Sequence, residues 1–234
     1  MELVPNPGKK LVIDIGSKLY ARLPIKTHII TKSDNIVEIC KHYAGPHLQP
    51  GDFLFVSERI VAISQGRAFP IKDIHPSPLA RFLARFVQKS PYGIGLASPW
   101  TMELAIREVG IPKILLAALV SAATKPFGLK GIFYRVAGKN INAIDGPCSY
   151  TLPPYNEYAK LAPIDSITTA QALREDLGYE MVIIDANDLG VEVLGKSSHN
   201  ITNDFCKQVF RDNPLGQSLE QTPLCIVRLA PFPH

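Results

Sequence analysis

Two spacings of apolar residues divide this chain into elements. Residues 181–184 (Met-Val-Ile-Ile) form a short, unbroken apolar run rich in β-branched side chains, the pattern of a strand covered on both faces. Residues 10–15 and 53–56 predict further strands, and residues 223–229 predict a closing one. Residues 20–25 predict an extended segment, because Pro24 has no N–H to give a helix and restricts the residue before it. Residues 57–67 are expected to continue the strand at 53–56 into a polar rim with a glycine turn. Residues 131–137 and 140–144 are also expected to be extended.

Helical spacing appears from Ile36 to about Tyr43 behind a Ser33-Asp34-Asn35 cap. It recurs at residues 79–87, 101–109, 113–124, 166–177 and 202–210. The segment 113–124 is apolar nearly all round and is expected to be central. Residues 150–158 read as irregular and aromatic. Strands and helices alternate without a regular βαβ rhythm, so the predicted class is α+β with a mixed sheet rather than a doubly wound parallel fold. One domain over residues 1–234 is expected, with room for two subdomains divided near 78 and 140.

Composition changes this picture little. Apolar residues make up 46% of the 234 and charged residues 20%, as in a globular protein of one large or two small cores. The longest apolar run, residues 114–123, is too short for a membrane span. The N-terminal residues lack the apolar segment of a signal peptide, and Cys40, Cys148, Cys206 and Cys225 show no metal or disulfide spacing. A cytoplasmic protein with free thiols is therefore expected. Net charge is +4 but unevenly spread. Residues 79–139 hold nine Lys/Arg against Glu103 and Glu108, whereas residues 140–220 hold twelve acids and five bases. That split fits an anionic small molecule meeting an acidic metal-binding half, and it equally fits two differently solvated faces. Basic runs interleaved with aromatics are missing, so neither nucleic acid nor a membrane is the expected partner.

The chemistry concentrates at two places. The apolar run at 181–184 leads directly into Asp185, Asn187 and Asp188, with Gly190 after them, and Asp145 precedes a Gly146-Pro147 turn. Carboxylates brought close repel, so clusters of them hold a cation, and all-oxygen ligands suit Mg²⁺ or Mn²⁺. Ordinary Asx-rich turns would use the same residues. The phosphate-binding, dinucleotide-binding and nucleophile-elbow glycine motifs are absent from the sequence.

Five blocks taken together carry more: Leu23-Pro24-Ile25; Gly51-Asp52 with Arg59-Ile60-Val61 and Gln65-Gly66-Arg67; Asp145-Gly146; residues 183–190; and Pro223 with Val227-Arg228. In order and spacing they resemble the coenzyme F420 γ-glutamyl ligase family across nearly the whole chain. The resemblance implies an α+β fold peculiar to that family and an intertwined homodimer. It also implies a GTP-dependent reaction with Mg²⁺ or Mn²⁺ that joins L-glutamate to a carboxylate through an acyl phosphate. Carried over by position, it puts guanine-nucleotide contacts at Leu23, Pro24, Ile25, Glu58 and Arg59. It puts metal ligands at Asp145, Asn187, Asp188 and Glu220, with Asp185 beside them. Several positions depart from the family pattern: Asn187 stands in an aspartate's place, Asp188 in a threonine's and Cys148 in an asparagine's, residues 150–158 are unlike the family's, and Ile63 stands where a nucleotide lysine is expected. Lys125, Lys130 and Lys196 are the candidate replacements, and lysine at 63 is expected to strengthen GTP binding. The rival reading is a non-catalytic relative that binds another anion without GTP.

Overall fold

The computed structural model describes residues 4–87, 95–129, 131–138, 141–187 and 190–230. They form two compact units, one of residues 1–66 and 163–234 and the other of residues 67–162. The first 66 residues contain β1 (Val12–Ile15), β2 (Lys18–Ile25), α1 (Ile36–Tyr43), β3 (Phe53–Ser57) and α2 (Glu58–Ser64). Then come β4 (Ala68–Pro70), α3 (Pro78–Ala84), α4 (Pro99–Val109), α5 (Ile111–Thr124), α6 (Ile132–Ala137) and β5 (Tyr158–Lys160) of the second unit. The chain returns to the first unit with α7 (Ser166–Leu177), β6 (Glu180–Asn187), β7 (Gly190–Lys196), α8 (Asn203–Val209) and β8 (Leu224–Leu229).

The first unit is built on a six-stranded sheet in the order β1-β2-β8-β3-β6-β7. Only β3 and β6 run parallel, and every other neighbouring pair is antiparallel, so the sheet is mixed. Its middle strands are apolar on both faces because both are covered. Phe55, Val182, Ile184, Cys225 and Val227 pack with Cys206, Val209 and Phe210 around α8. The alternate residues Leu54, Val56, Met181, Ile183, Leu224 and Ile226 are also fully buried. Arg22 is wholly buried in β2. It donates to the carbonyl of Val209 and is paired with Asp212, whose carboxyl its guanidinium holds below the ordinary aspartate value. Asp52 and Arg228 form a second tie of this kind, a fork of two bonds at 2.8 and 2.7 Å.

The helices begin where side-chain oxygens are available. Asn35, Ser77, Ser98, Asp165 and Thr202 each accept a hydrogen bond from a first-turn N–H, at α1, α3, α4, α7 and α8. Among the described residues no helix is long and apolar enough to cross a membrane.

Four expectations are corrected. Residues 58–64 are helical rather than a strand extension, because the ladders from β3 to β6 and β8 end at Ser57 and Val56. A buried backbone without a strand partner satisfies its polar groups internally by coiling. Residues 132–137 form α6 rather than a strand, between Gly131 and Gly138 at positive φ; Phe133, Tyr134 and Val136 pack into the second unit's core. Residues 141–143 are one tight 3-10 turn with Ile141 and Ile144 buried. Finally, α5 is not central. Only Ile114 and Ala117 on it are buried, while Ile111, Leu115, Leu116 and Leu119 are exposed, Leu119 at 71%. Spacing of three and four residues puts those four on one stripe.

Gly195 shows how closely α7 approaches the sheet. It sits in β7 beside a bulge, where the register slips between Ile183 and Ile184. A Cβ there would run into the backbone carbonyl of Ser166, at the start of α7. Gly190, in the same strand, faces open space. Gly195→Ala is expected to destabilise the fold by about 3 kcal/mol, and Gly190→Ala by less than about 1 kcal/mol. Chemical denaturation midpoints of the two variants check this, and equal midpoints would refute the close packing.

Candidate functional site

The strand register decides which chemical groups of the first unit share a location. Leu224 pairs with Ile25 of β2 on one side and with Val56 of β3 on the other, and Ser57 pairs with Ile184 of β6. The C-terminal ends of β2, β3 and β6 are therefore level at one edge of the sheet. At that edge Lys26 succeeds Ile25, Glu58-Arg59 succeeds Ser57, and Asp185 with Asn187 succeeds Ile184. The segment leading into β8 arrives at the same edge, where Pro223 accepts from the Ser57 N–H at 2.9 Å and Gln221 from the Thr27 N–H at 3.1 Å. Leu23, Pro24, Ile25, Glu58, Arg59, Asp185, Asn187 and the turn holding Glu220 thus gather at one sheet end. In sheets with parallel strands the carboxyl ends are where ligands are bound.

Each group is held differently. Pro24 is tolerated in β2 because β1 pairs only with residues 18–21, so the missing N–H falls where β2 has no neighbour on that side. Glu58 opens α2 and is 4% exposed, and Arg59 beside it is half-buried. β6 extends to Asn187, beyond the apolar run, so Asp185 and Asn187 lie within the strand rather than after it. They share a face, with the Asn187 amide donating to Asp185 at 3.5 Å. Asp185 is the register partner of Glu192, which sets two carboxylates opposite one another on a paired strand. Like charges so placed repel, and a cation relieves them. Asp188 lies outside the described residues. Glu220 turns back on its own loop and accepts from the Ser218 N–H at 2.7 Å, above Gly216.

Asp145 belongs to the second unit. Its backbone exchanges both hydrogen bonds of an antiparallel bridge with Lys160, at 3.0 and 2.8 Å, and so adds one residue to the edge of β5. The carboxylate is 50% exposed and lies 3.5 Å from the Lys160 Nζ. Sequence reasoning missed Lys160, since a lone lysine fifteen residues from Asp145 carries no motif. Of the lysines it did single out, Lys196 donates to the Ile201 carbonyl at 2.6 Å and Lys130 lies outside the described residues. Among the described residues no three of His, Cys, Asp and Glu stand together as a metal cluster. In donor chemistry Asp185 and Asn187 of the first unit suit Mg²⁺ or Mn²⁺, since both offer oxygen and keep partial access to solvent. The buried thiols of Cys40, Cys206 and Cys225 are pushed by burial up to about 12, 11 and 12, far from a neutral-pH nucleophile.

The sequence model of the F420-0:gamma-glutamyl ligase family matches residues 24–188, well over half of the chain. The chain belongs to that family. No curated protein matches it. The family match covers Pro24, Ile25, Glu58, Arg59, Asp145, Asn187 and Asp188, and leaves Leu23 and Glu220 outside it. Two of the blocks that carry the family pattern have structural work. Asp52 and Arg228 form the fork that ties β8 to the turn before β3. The Gln65 side chain bonds both the N–H and the carbonyl of Ile164, at 2.7 and 3.0 Å.

Ile63, where this ligase-family chain lacks the expected lysine, is 4% exposed within α2. A lysine at this position would have to bury its stem in α2's inner side before its ammonium could meet a phosphate. A lysine buried there without a charged partner is pushed toward its neutral form. For a pKa lowered to about 6, Ile63→Lys costs about 4 kcal/mol at pH 7. Thermal melts at pH 7 and pH 9 check this: the penalty should shrink at the higher pH, and a penalty independent of pH would show that the amine reaches solvent.

Proposed function

We propose that this protein is a nucleotide-dependent ligase that joins L-glutamate to the carboxylate of an F420-0-like acceptor. The observation that carries the reading is the levelling of β2, β3 and β6, which brings Ile25, Glu58, Arg59, Asp185 and Asn187 to one sheet end in a chain of this ligase family. In the proposed reaction the acceptor carboxylate takes the γ-phosphoryl group of GTP, releasing GDP. The amine of glutamate then attacks the acyl carbon, phosphate leaves, and the amine loses its proton as the amide forms. Leu23, Pro24, Ile25, Glu58 and Arg59 would hold the nucleotide. Pro24 and Ile25 are buried and would act by fixing the backbone at the end of β2, while Arg59 offers a planar cation suited to phosphate or to a carboxylate.

Asp145, Asn187, Asp188 and Glu220, with Asp185 beside them, would hold Mg²⁺ or Mn²⁺. The ion, when bound, supplies charge neutralisation on the phosphoryl oxygens. The opposed Asp185 and Glu192 support this role on the first unit. Glu220 would have to leave the Ser218 N–H to serve as a ligand. The test is amide formation from F420-0, GTP and glutamate in Mn²⁺ buffer, read by mass spectrometry and GDP release. Product requiring all three is expected, and Asp145→Asn should reduce turnover at least about a hundredfold. GTP binding without any amide product would favour a relative that binds nucleotide but has lost the ligation.

We further propose a homodimer, supported by the exposed apolar stripe Ile111, Leu115, Leu116 and Leu119 on α5, together with Phe127 and Leu129. An intertwined interface would bury more than about 2,000 Å². Leu119→Asp is at a solvent-facing position and should leave the protomer folded while weakening association. Light scattering at micromolar concentration should give twice the 25.7 kDa chain mass for the natural protein. It should give a lower mass for the variant, and a monomeric natural protein would refute the interface.

A further inference from the structure

Lys160 is a buried charge for which the ligase reading gives no part. Its side chain is 4% exposed, yet its ammonium lies 3.5 Å from the half-exposed Asp145 carboxylate. Both backbones are pinned. Lys160 and Asp145 exchange two main-chain hydrogen bonds, and on its other edge Lys160 is the register partner of Ala68 in β4. The bridge sets the two backbones opposite one another, and the lysine side chain is almost wholly buried. A buried ammonium carries a large desolvation penalty, so its place beside the Asp145 carboxylate is an arrangement with a consequence.

We propose that Lys160 is a built-in counter-ion of Asp145 that competes with a divalent cation for the carboxylate. It holds Asp145 in position before the ion arrives, and it sets how much ion the site requires. An approaching divalent ion meets a fixed positive charge a few ångströms from its ligand, and that charge has little room to retreat. The lysine and the ion therefore oppose each other, and by linkage each weakens the other's hold on the carboxylate. This inference rests on the reading of Asp145 as a metal ligand, and the experiment separates the two.

Mn²⁺ uptake by the full chain, read from the electron paramagnetic resonance signal of the free ion, is measured for the natural protein, Lys160→Met, Lys160→Arg and Asp145→Asn. Methionine keeps the volume of the enclosed stem and removes its charge, and glutamine replaces it should that variant fail to fold. Lys160→Met is expected to bind Mn²⁺ about tenfold more tightly, as removal of one nearby charge in a partly screened site implies. Lys160→Arg should show no gain, and Asp145→Asn should lose the site. Uptake that depends on Asp145 but is unchanged or weaker in Lys160→Met overturns the counter-ion role alone. Absence of uptake in both the natural protein and Lys160→Met overturns that role and the metal reading together. Melts without metal provide a second arm. If the two charges are coupled, the losses in Asp145→Asn and Lys160→Met should be less than additive in the double variant. Strictly additive losses would contradict the pairing.

Discussion

The first unit depends on one long-range pairing, the insertion of the last strand between two of the earliest. β8 hydrogen-bonds to β2 on one side and to β3 on the other, and its Leu224, Cys225, Ile226 and Val227 are fully buried. Without it β2 and β3 would each lose a ladder, and the apolar faces of both would stand open. The same strand fixes their relative level, because one residue, Leu224, is the partner of both Ile25 and Val56. The levelling of the candidate site is thus a by-product of sheet closure. Segments from the two ends of the chain must meet before it exists, so the site forms only when this unit does.

Burial separates the structural charges from the candidate functional ones. Arg22–Asp212 and Asp52–Arg228 tie interior strands of the sheet to its loops, each with one partner wholly or nearly wholly shielded and with further backbone bonds. In the second unit Arg67 pairs with Glu108 at 2.9 Å and donates to the Ala162 carbonyl, fastening the chain where that unit begins and ends. Asp185 and Asn187 are placed differently, near the end of β6. They keep partial exposure, and Asp185 has another acid as its register partner across the ladder. Oxygen donors in that condition at a strand end are suited to an external cation or its phosphate complex.

The insertion between α2 and α7 contains the whole basic stretch of residues 79–139 and has its own apolar core. That core draws from α3, α4, α5 and α6, and of α5 only Ile114 and Ala117 are buried in it. Charge and fold thus combine in this unit: a basic composition, an apolar stripe on α5, and the Asp145 carboxylate pinned at β5.

Local pattern by itself determined the elements whose backbone needs are met locally. α1 follows its Asn35 cap residue for residue, α7 begins at Ser166 as its spacing requires, and the apolar runs at 53–56, 181–184 and 223–229 are strands. The family blocks were equally legible, since the match over residues 24–188 rests on the order of residues alone. Tertiary structure decided the rest. The run Ile60-Val61-Ala62-Ile63 has a strand's composition and became helix, because strand partners for β3 end at Ser57. Residues 132–137 likewise coil between two glycines in a unit whose described sheet has only two strands. Neither the levelling of three strand ends nor the placing of Lys160 against Asp145 leaves a trace in local spacing. Both are set by register and bridging between distant segments, and a hydrogen-bond ladder fixes those only once its partners have met.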